Sequence, residues 1–146
     1  MKKKIFICGN PLVDADSLPF RILPDLKAKL PEVDFVDFDP TDNFPEADPL
    51  YIIDTVINAR RVMVIRDLKN LAQAPRLSAH DADLAFNLKW LEKMGKLPRI
   101  IIFGVPAEGD RKEIVDQLAC LVAETHLPIL ALKNGRRRTC KGRRRG

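Results

Sequence analysis

Short apolar runs that end in turn residues recur along the chain and predict the strands of a sheet. These runs are 4–8, 33–38, 50–55, 61–65, 100–106 and 128–132. Three of them, 4–8, 50–55 and 100–106, are almost wholly apolar, which is typical of strands buried on both faces of a parallel sheet. Run 61–65 follows its predecessor after a link too short for a crossover helix, which predicts an antiparallel edge strand.

Apolar residues at helical spacing predict a helix in three segments between the strands, and these segments are 17–30, 78–95 and 110–125. The apolar stripe of the first helix consists of Leu18, Ile22, Leu26 and Leu30, and that of the second consists of Leu84, Leu88 and Leu91. Pro24 is expected to bend the first helix, because proline removes an internal hydrogen bond. The alternation of strands and helices predicts an α/β fold, a three-layer domain with a mostly parallel central sheet flanked by helices.

Charge is distributed unevenly along the 146 residues. Eight of the 25 basic residues lie between Lys133 and Arg145, where there is no acid, so the rest carries 17 basic against 20 acidic residues, a net charge of −3. We therefore predict one domain over residues 1–134, long enough for a single core, and a basic tail over 135–146. The tail repels itself and has the charge to contact nucleic acid or an acidic partner. Because it has no aromatic residue for base stacking, we expect a solvated tail and no nucleic-acid partner.

Membrane insertion and secretion are disfavoured by the same patterns. No apolar run approaches the roughly 20 residues of a membrane span, and the basic start of the chain leads into a short strand instead of a signal sequence. Cys8, Cys120 and Cys140 match the spacing of no metal module or disulfide framework, so we expect idle thiols in a reducing compartment. A cytoplasmic protein with no membrane partner is expected.

The turn after the first strand carries the first candidate chemistry. It contains Gly9, Asn10 and the acids Asp14 and Asp16, and the crevice at the carboxyl ends of the strands is the usual ligand site of an open α/β sheet. The turn lacks the three glycines of a dinucleotide-binding fingerprint, and two carboxylates would repel a pyrophosphate. It therefore favours a cation over a nucleotide.

Asp54 and His80 complete a candidate metal site. Asp54 ends an apolar strand expected to run parallel to the first, which would place it at the same sheet edge as Asp16. His80 falls in the first turn of the second helix, where the helix dipole disfavours a protonated imidazole. Two carboxylates and one imidazole suit nickel, zinc or iron. The alternative for His80 is a capping or packing role, and His126 has no acid beside it.

Four short motifs stand in a fixed order between Lys4 and Glu124. They are Gly9-Asn10-Pro11-Leu12 followed by an acid pair, the strand that ends at Asp54, Ser78-Ala79-His80, and the stretch from Ile102 to Glu108. In order and spacing they resemble the hydrogenase maturation endopeptidases, which trim the C-terminus of the large subunit of nickel-iron hydrogenases. The resemblance implies a peptidase whose partner is a large-subunit precursor.

The resemblance also implies the role of individual residues. Asp16, Asp54 and His80 match the family's metal-binding set, so they are the expected catalytic residues and the ligands of nickel carried by the substrate. Zinc or cadmium is expected to substitute for nickel. Two glycine-containing stretches of the family, the second of which is implicated in precursor recognition, are replaced here by Ser17-Leu18-Pro19 and Asp39-Pro40-Thr41. The rival hypothesis is a non-catalytic α/β binding protein, either a precursor chaperone or a nucleotide binder.

Overall fold

Five strands form one sheet within the residues that the computed structural model describes, which are 3–10, 12–14, 17–40, 44–57, 59–73 and 79–126. The strands are β1 Lys3–Ile7, β2 Val33–Asp37, β3 Leu50–Val56, β4 Met63–Ile65 and β5 Ile100–Pro106. Their order is β2-β1-β3-β5-β4, and β4 alone among them is antiparallel, paired with β5 at the edge. The mostly parallel sheet and its antiparallel edge strand are thereby confirmed. The strand predicted at 128–132 lies outside the described residues.

The helices of the described residues are α1 Leu18–Arg21, α2 Leu23–Lys29, α3 Leu68–Gln73, α4 Ala79–Lys93 and α5 Arg111–His126. Helices α4 and α5 confirm two of the three predicted helices, whereas the sequence pattern did not predict α3. Gly95 follows α4 at φ +67°, the left-handed conformation in which glycine commonly ends a helix. Within the described part of the chain, no helix is long and apolar enough to cross a membrane.

The single bent helix predicted over 17–30 is instead two helices that meet at Ile22. Pro24 lies in the first turn of α2, a position where its missing N–H would have no intrahelical partner in any case. The chain therefore begins a second helix at Leu23 instead of continuing as one bent helix. Leu18, Ile22 and Leu26 are nevertheless all buried, so the predicted apolar stripe is preserved across the break.

Two apolar cores lie on opposite faces of the sheet. One core packs α1, α2 and α5 against it, and the other packs α3 and α4. Successive residues of β3 alternate between the two, because side chains of a strand point to opposite faces in turn. Tyr51 and Ile53 belong to the first core, and Leu50 and Ile52 belong to the second. This is the three-layer arrangement that the sequence predicts.

Ion pairs join elements that are distant in sequence. Lys29 pairs with Asp116, and Arg111 Nε lies 3.4 Å from Asp25 Oδ2, so two exposed pairs link α2 to α5 on the first face. Exposed pairs of this kind contribute little stability each. They nevertheless identify α2 and α5 as neighbours.

The starts of the two central strands are joined by Asp48 and Arg99. Arg99 donates to Asp48 Oδ1 from Nε at 2.9 Å and from its backbone N–H at 3.3 Å. The Leu50 N–H in turn donates to the Arg99 carbonyl at 2.7 Å. The Arg99 side-chain hydrogen bond lowers the pKa of the Asp48 carboxyl below its ordinary value. This pair of Asp48 and Arg99 lies at the edge of the sheet where the parallel strands begin, opposite to the candidate site.

The cysteines within the described residues differ in state. Cys8 is buried directly after β1 and is not disulfide-bonded, whereas Cys120 on α5 is disulfide-bonded. The expectation of idle thiols is therefore wrong for Cys120. Spacing along the chain could not reveal this bond, because a disulfide depends on proximity in the fold.

Candidate functional site

Asp54 is a buried carboxylate in the most buried strand of the sheet. All seven residues of β3 are buried, and Asp54 itself is only 1% exposed. Its Oδ1 accepts a hydrogen bond from the backbone N–H of Thr55 at 2.8 Å. The strand continues to Val56, so Asp54 lies two residues inside its end and not at the end as the sequence suggested. Acidic residues are rarely fully buried, and those that are cluster at functional sites, so Asp54 is a candidate functional residue.

The alternation of β3 determines which face of the sheet Asp54 occupies. Leu50 and Ile52 both belong to the core beneath α3 and α4, and Asp54 is the next residue on that side. Helix α4 is anchored to the same core by Leu84 and Leu88, which are fully buried. Asp54 therefore lies on the face of the sheet that α4 covers.

The backbone of α4 places position 80 on this face as well. His80 is in the first turn of the helix, four residues before Leu84, and residues four apart in a helix lie on the same side. Position 80 is therefore on the sheet-facing side of α4. The structure thus brings two of the three predicted ligand positions to one face of the sheet, Asp54 from β3 and position 80 from α4. The His80 side chain lies outside the described part of the structure.

The turn after β1 begins level with Asp54. Strands β1 and β3 are parallel neighbours with Ile7 opposite Ile53, and the Cys8 N–H donates to the Ile53 carbonyl at 2.8 Å. Gly9 follows at φ +140°, a backbone conformation that strongly favours glycine. The predicted meeting of this turn with the end of β3 at one sheet edge is therefore confirmed. Asp16 itself lies outside the described residues.

Hydrogen bonds hold the described parts of this turn. Asn10 Oδ1 accepts the Leu12 N–H at 2.9 Å, a bond that asparagine side chains commonly make to the backbone two residues on. The Ser17 hydroxyl donates to the Asp14 carbonyl at 3.2 Å. Serine at the start of a helix commonly caps it with its side chain, but Ser17 forms no such cap bond at the start of α1. The hydroxyl bond to Asp14 instead links the residue before α1 to the turn.

A cavity of about 270 Å³ opens beside this turn and was not foreseen from the sequence. It is lined by Asp14, Ser17, Phe20 and Arg21. It therefore offers an aromatic ring, a carboxylate and a guanidinium to whatever binds at this edge. Ser17 and Arg21 are four residues apart, a spacing that could have pointed to a shared face. The volume is slightly below that of typical small-molecule sites.

The complete set of Asp16, Asp54 and His80 stays a prediction. Among the residues whose side chains the structure describes, no three histidine, cysteine or acidic side chains are placed to hold a metal ion. Asp54 is the one member of the predicted set whose side chain is described. A carboxylate oxygen is a donor that divalent cations accept, which fits a role for Asp54 as one ligand of such an ion.

Solved structures share this fold, although no protein-family model and no curated protein matches the sequence. The NiFe hydrogenase maturation protease HybD from Thermococcus kodakarensis superposes with a TM-score of 0.58 at 19% identity, over 86% of this chain and 98% of that one. The hydrogenase maturating endopeptidase HybD from Escherichia coli gives a TM-score of 0.55 at 19% identity, over 92% and 94% of the two chains. The solution structure of an endopeptidase from Escherichia coli gives 0.56 at 20% identity, with the same coverage.

These likenesses extend over nearly the whole length of each neighbour, so the chain shares the fold of these solved hydrogenase maturation proteases. The α/β class predicted from the sequence and the resemblance to this family are thereby confirmed at the level of the fold. At about one residue in five identical, the comparison establishes architecture, and chemistry has to be argued from the site.

Proposed function

We propose that this chain is an endopeptidase that removes a C-terminal peptide from the large-subunit precursor of a nickel-iron hydrogenase. The observation that carries the proposal is the buried carboxylate of Asp54 on the α4-covered face of β3, in a chain with the fold of hydrogenase maturation proteases. Acidic side chains buried inside a sheet are candidates for functional sites, which supports a catalytic or ligand-binding role for Asp54.

In this proposal Asp16, Asp54 and His80 bind the nickel ion that the precursor carries. Nickel is then part of the substrate, and its absence from an immature precursor would prevent cleavage. The three side chains come from the turn after β1, from β3 and from the first turn of α4, so the fold and not local sequence sets their mutual positions. A mixed set of oxygen and nitrogen donors suits nickel, and zinc or cadmium would be accepted by the same donors.

The ion and the protein have separate tasks. Nickel held by Asp16, Asp54 and His80 would supply a Lewis acid for the peptide carbonyl or a water molecule. The protein holds the scissile segment in the crevice at the carboxyl ends of β1 and β3, which replaces a bimolecular encounter with an oriented one. The cavity beside Asp14 and Arg21 receives a side chain of the precursor and so helps to fix the cleavage position.

The loop after β2 supports recognition of a particular precursor. Phe38 packs edge to face against Phe6 and Phe44, with ring centroids 6.0 and 5.1 Å apart. Asn87 Nδ2 of α4 donates to the Pro40 carbonyl at 2.6 Å, so the described part of this loop is tied to the helix that carries His80. A different sequence here, in place of the family's glycines, would select a different precursor.

The deciding experiment compares two preparations of one purified large-subunit precursor, one loaded with nickel and one free of metal. Each is incubated with the full chain and analysed by intact mass spectrometry. A mass loss that corresponds to one C-terminal peptide, in the nickel-loaded sample alone, is expected. Equal cleavage of both samples would contradict the nickel requirement, and an unchanged mass in both would contradict the endopeptidase.

A further inference from the structure

The outer side of α4 carries a row of large apolar side chains in contact with solvent. Phe86, Trp90 and Met94 are 67%, 55% and 45% exposed. They are spaced by four residues, so they lie next to one another along the helix and its last turn. Leu84 and Leu88 hold the opposite side of the same helix in the core, so the exposed row is not needed for packing against the sheet. We call Phe86, Trp90 and Met94 the α4 stripe.

The composition of the α4 stripe is that of a protein interface. Single exposed apolar residues are common on protein surfaces, but a continuous row of large ones is typical of binding sites. Tryptophan, phenylalanine and methionine are enriched in interfaces, and tryptophan is among the residues that most often dominate their affinity. Trp90 is the sole tryptophan of the chain, and the fold leaves it on the surface.

The charges beside the α4 stripe define the chemistry of the partner. Lys89 and Lys93 are exposed and follow Phe86 and Trp90 by three residues each, so a row of lysines runs alongside the apolar row. Lys96 extends the positive charge past the end of the helix. An apolar row with a basic border is complementary to an amphipathic helix with acidic residues along its apolar side.

We propose that the α4 stripe and its lysines dock an acidic amphipathic helix on the surface of the hydrogenase large-subunit precursor. The identity of the partner rests on the proposed function, whereas the chemistry of the docked segment rests on the stripe alone. The stripe begins about 10 Å along the helix axis from Ala79 and extends to about 22 Å at a rise of about 1.5 Å per residue. A precursor helix docked on the stripe would therefore lie at a distance from the bond that is cut.

Three other occupants fit the surface less well. The basic segment 133–145 of this chain carries eight positive charges and no negative one, so it would be repelled by Lys89 and Lys93. A second copy of the chain would bring the same lysines to the interface. A membrane surface would require a wider apolar face than three side chains, and Leu84 and Leu88 of the same helix are buried in the core.

The test measures binding of the full chain to the intact nickel-loaded precursor by isothermal titration, together with the steady-state kinetics of cleavage. One variant is Phe86→Gln with Trp90→Gln, which keeps good helix formers at both positions. A second is Lys89→Glu with Lys93→Glu. The matched control is Lys27→Glu with Lys112→Glu, which makes the same charge change at exposed positions on the α2 and α5 side of the sheet.

We expect the apolar variant to bind the precursor at least about tenfold more weakly, with a raised KM and an unchanged kcat. The lysine variant should bind more weakly at low salt, and the difference from the unaltered chain should shrink as salt is added. The control variant should bind within about twofold of the unaltered chain, since distant surface charges are screened.

Several results would overturn the docking proposal. Equal precursor affinity in all variants would do so, and so would a failure of the unaltered chain to bind the precursor at all. Dimerisation that is lost in the apolar variant, or binding to phosphatidylserine vesicles in place of the precursor, would assign the stripe to another occupant. The proposed function is separable from these outcomes. If every variant cleaves the precursor equally well, the peptidase proposal stands and the docking proposal is wrong. If binding depends on the α4 stripe but no cleavage occurs, the docking proposal stands and the peptidase proposal is wrong.

Discussion

Asp54 of β3 and Gly104 of β5 are register partners on the two central parallel strands, and a Cβ atom at position 104 would lie 2.5 Å from Val56 Cγ2. It would also lie 2.9 Å from Met63 Cγ on the edge strand. Both distances are shorter than side chains tolerate. The absence of a side chain at Gly104 is therefore what allows Val56 and Met63 to close over the strand beside the candidate ligand.

Gly104→Ala is expected to lower the free energy of unfolding by about 1–3 kcal/mol, because a methyl group would be forced into a packed wall. Urea unfolding followed by circular dichroism measures the change. Val56→Ala removes the clashing Cγ2, so the double variant should recover part of the loss. If the loss in the double variant equals the sum of the losses in the two single variants, the contact with Val56 is not the cause.

Asp54→Asn is expected to abolish cleavage and to weaken nickel binding strongly while the chain stays folded. The amide oxygen of asparagine can still accept the Thr55 N–H, so the local hydrogen bond survives while the anionic donor is lost. Asp37→Asn is the matched control, since Asp37 ends the neighbouring strand β2 but is exposed. The control should keep full activity in the precursor mass assay. An active Asp54→Asn would remove this residue from the site.

His80→Ala is expected to remove metal binding and cleavage together, with an unfolding midpoint close to that of the unaltered chain. Metal binding should also weaken as the pH falls below the ordinary pKa of an imidazole, because protonated histidine has no lone pair for the ion. His126→Ala is the control. It ends α5, which packs on the opposite face of the sheet from α4. Isothermal titration of both variants with nickel or cadmium identifies which histidine matters.

Asp48→Asn is expected to cause a small loss of thermal stability that is present at neutral pH and disappears in acid. Because Arg99 lowers the pKa of the folded Asp48 carboxyl, the ionised form is favoured in the folded state. This stabilisation exists above the unfolded-state pKa and is lost as the pH falls through the lower, folded-state value. The pair is exposed, so the effect is weakened by solvent. Melting curves of both proteins across this range should converge at acidic pH, and a constant difference would contradict the mechanism.

Deletion of residues 135–146 is expected to leave the unfolding midpoint unchanged when both proteins are compared in a thiol reductant, which removes any contribution of the Cys120 disulfide. The reason is that both apolar cores are formed between Ile5 and Val122. The deletion should lower the isoelectric point from its sequence value of about 9.3, because seven basic residues are lost. If these residues also attract an acidic precursor, association should slow on deletion at low salt and become equal at high salt. Stopped-flow measurements at two salt concentrations decide this, and equal rates at both exclude a steering role.

The sequence determined the elements whose pattern is local. The apolar runs of β1, β3 and β5 are long enough that only buried strands accommodate them, and the spacing of Leu84 and Leu88 anchors α4 as predicted. The edge position of β4 also followed from the sequence, because its short link to β3 excludes a crossover helix. Asp54 could also be singled out from the sequence alone, because it is a carboxylate in an otherwise apolar run.

The tertiary structure alone decided the relations between distant residues. The strand order, the level at which the turn after β1 meets Asp54, and the placement of Asp54 and position 80 on one sheet face depend on pairings that periodicity does not encode. The same holds for exposure along α4, where Phe86 and Trp90 remain on the surface although they are as apolar as the buried Leu84. The local pattern of apolar residues predicts whether a segment is a helix or a strand and which of its sides is buried. Which residues each side chain contacts depends on the long-range packing of the whole chain.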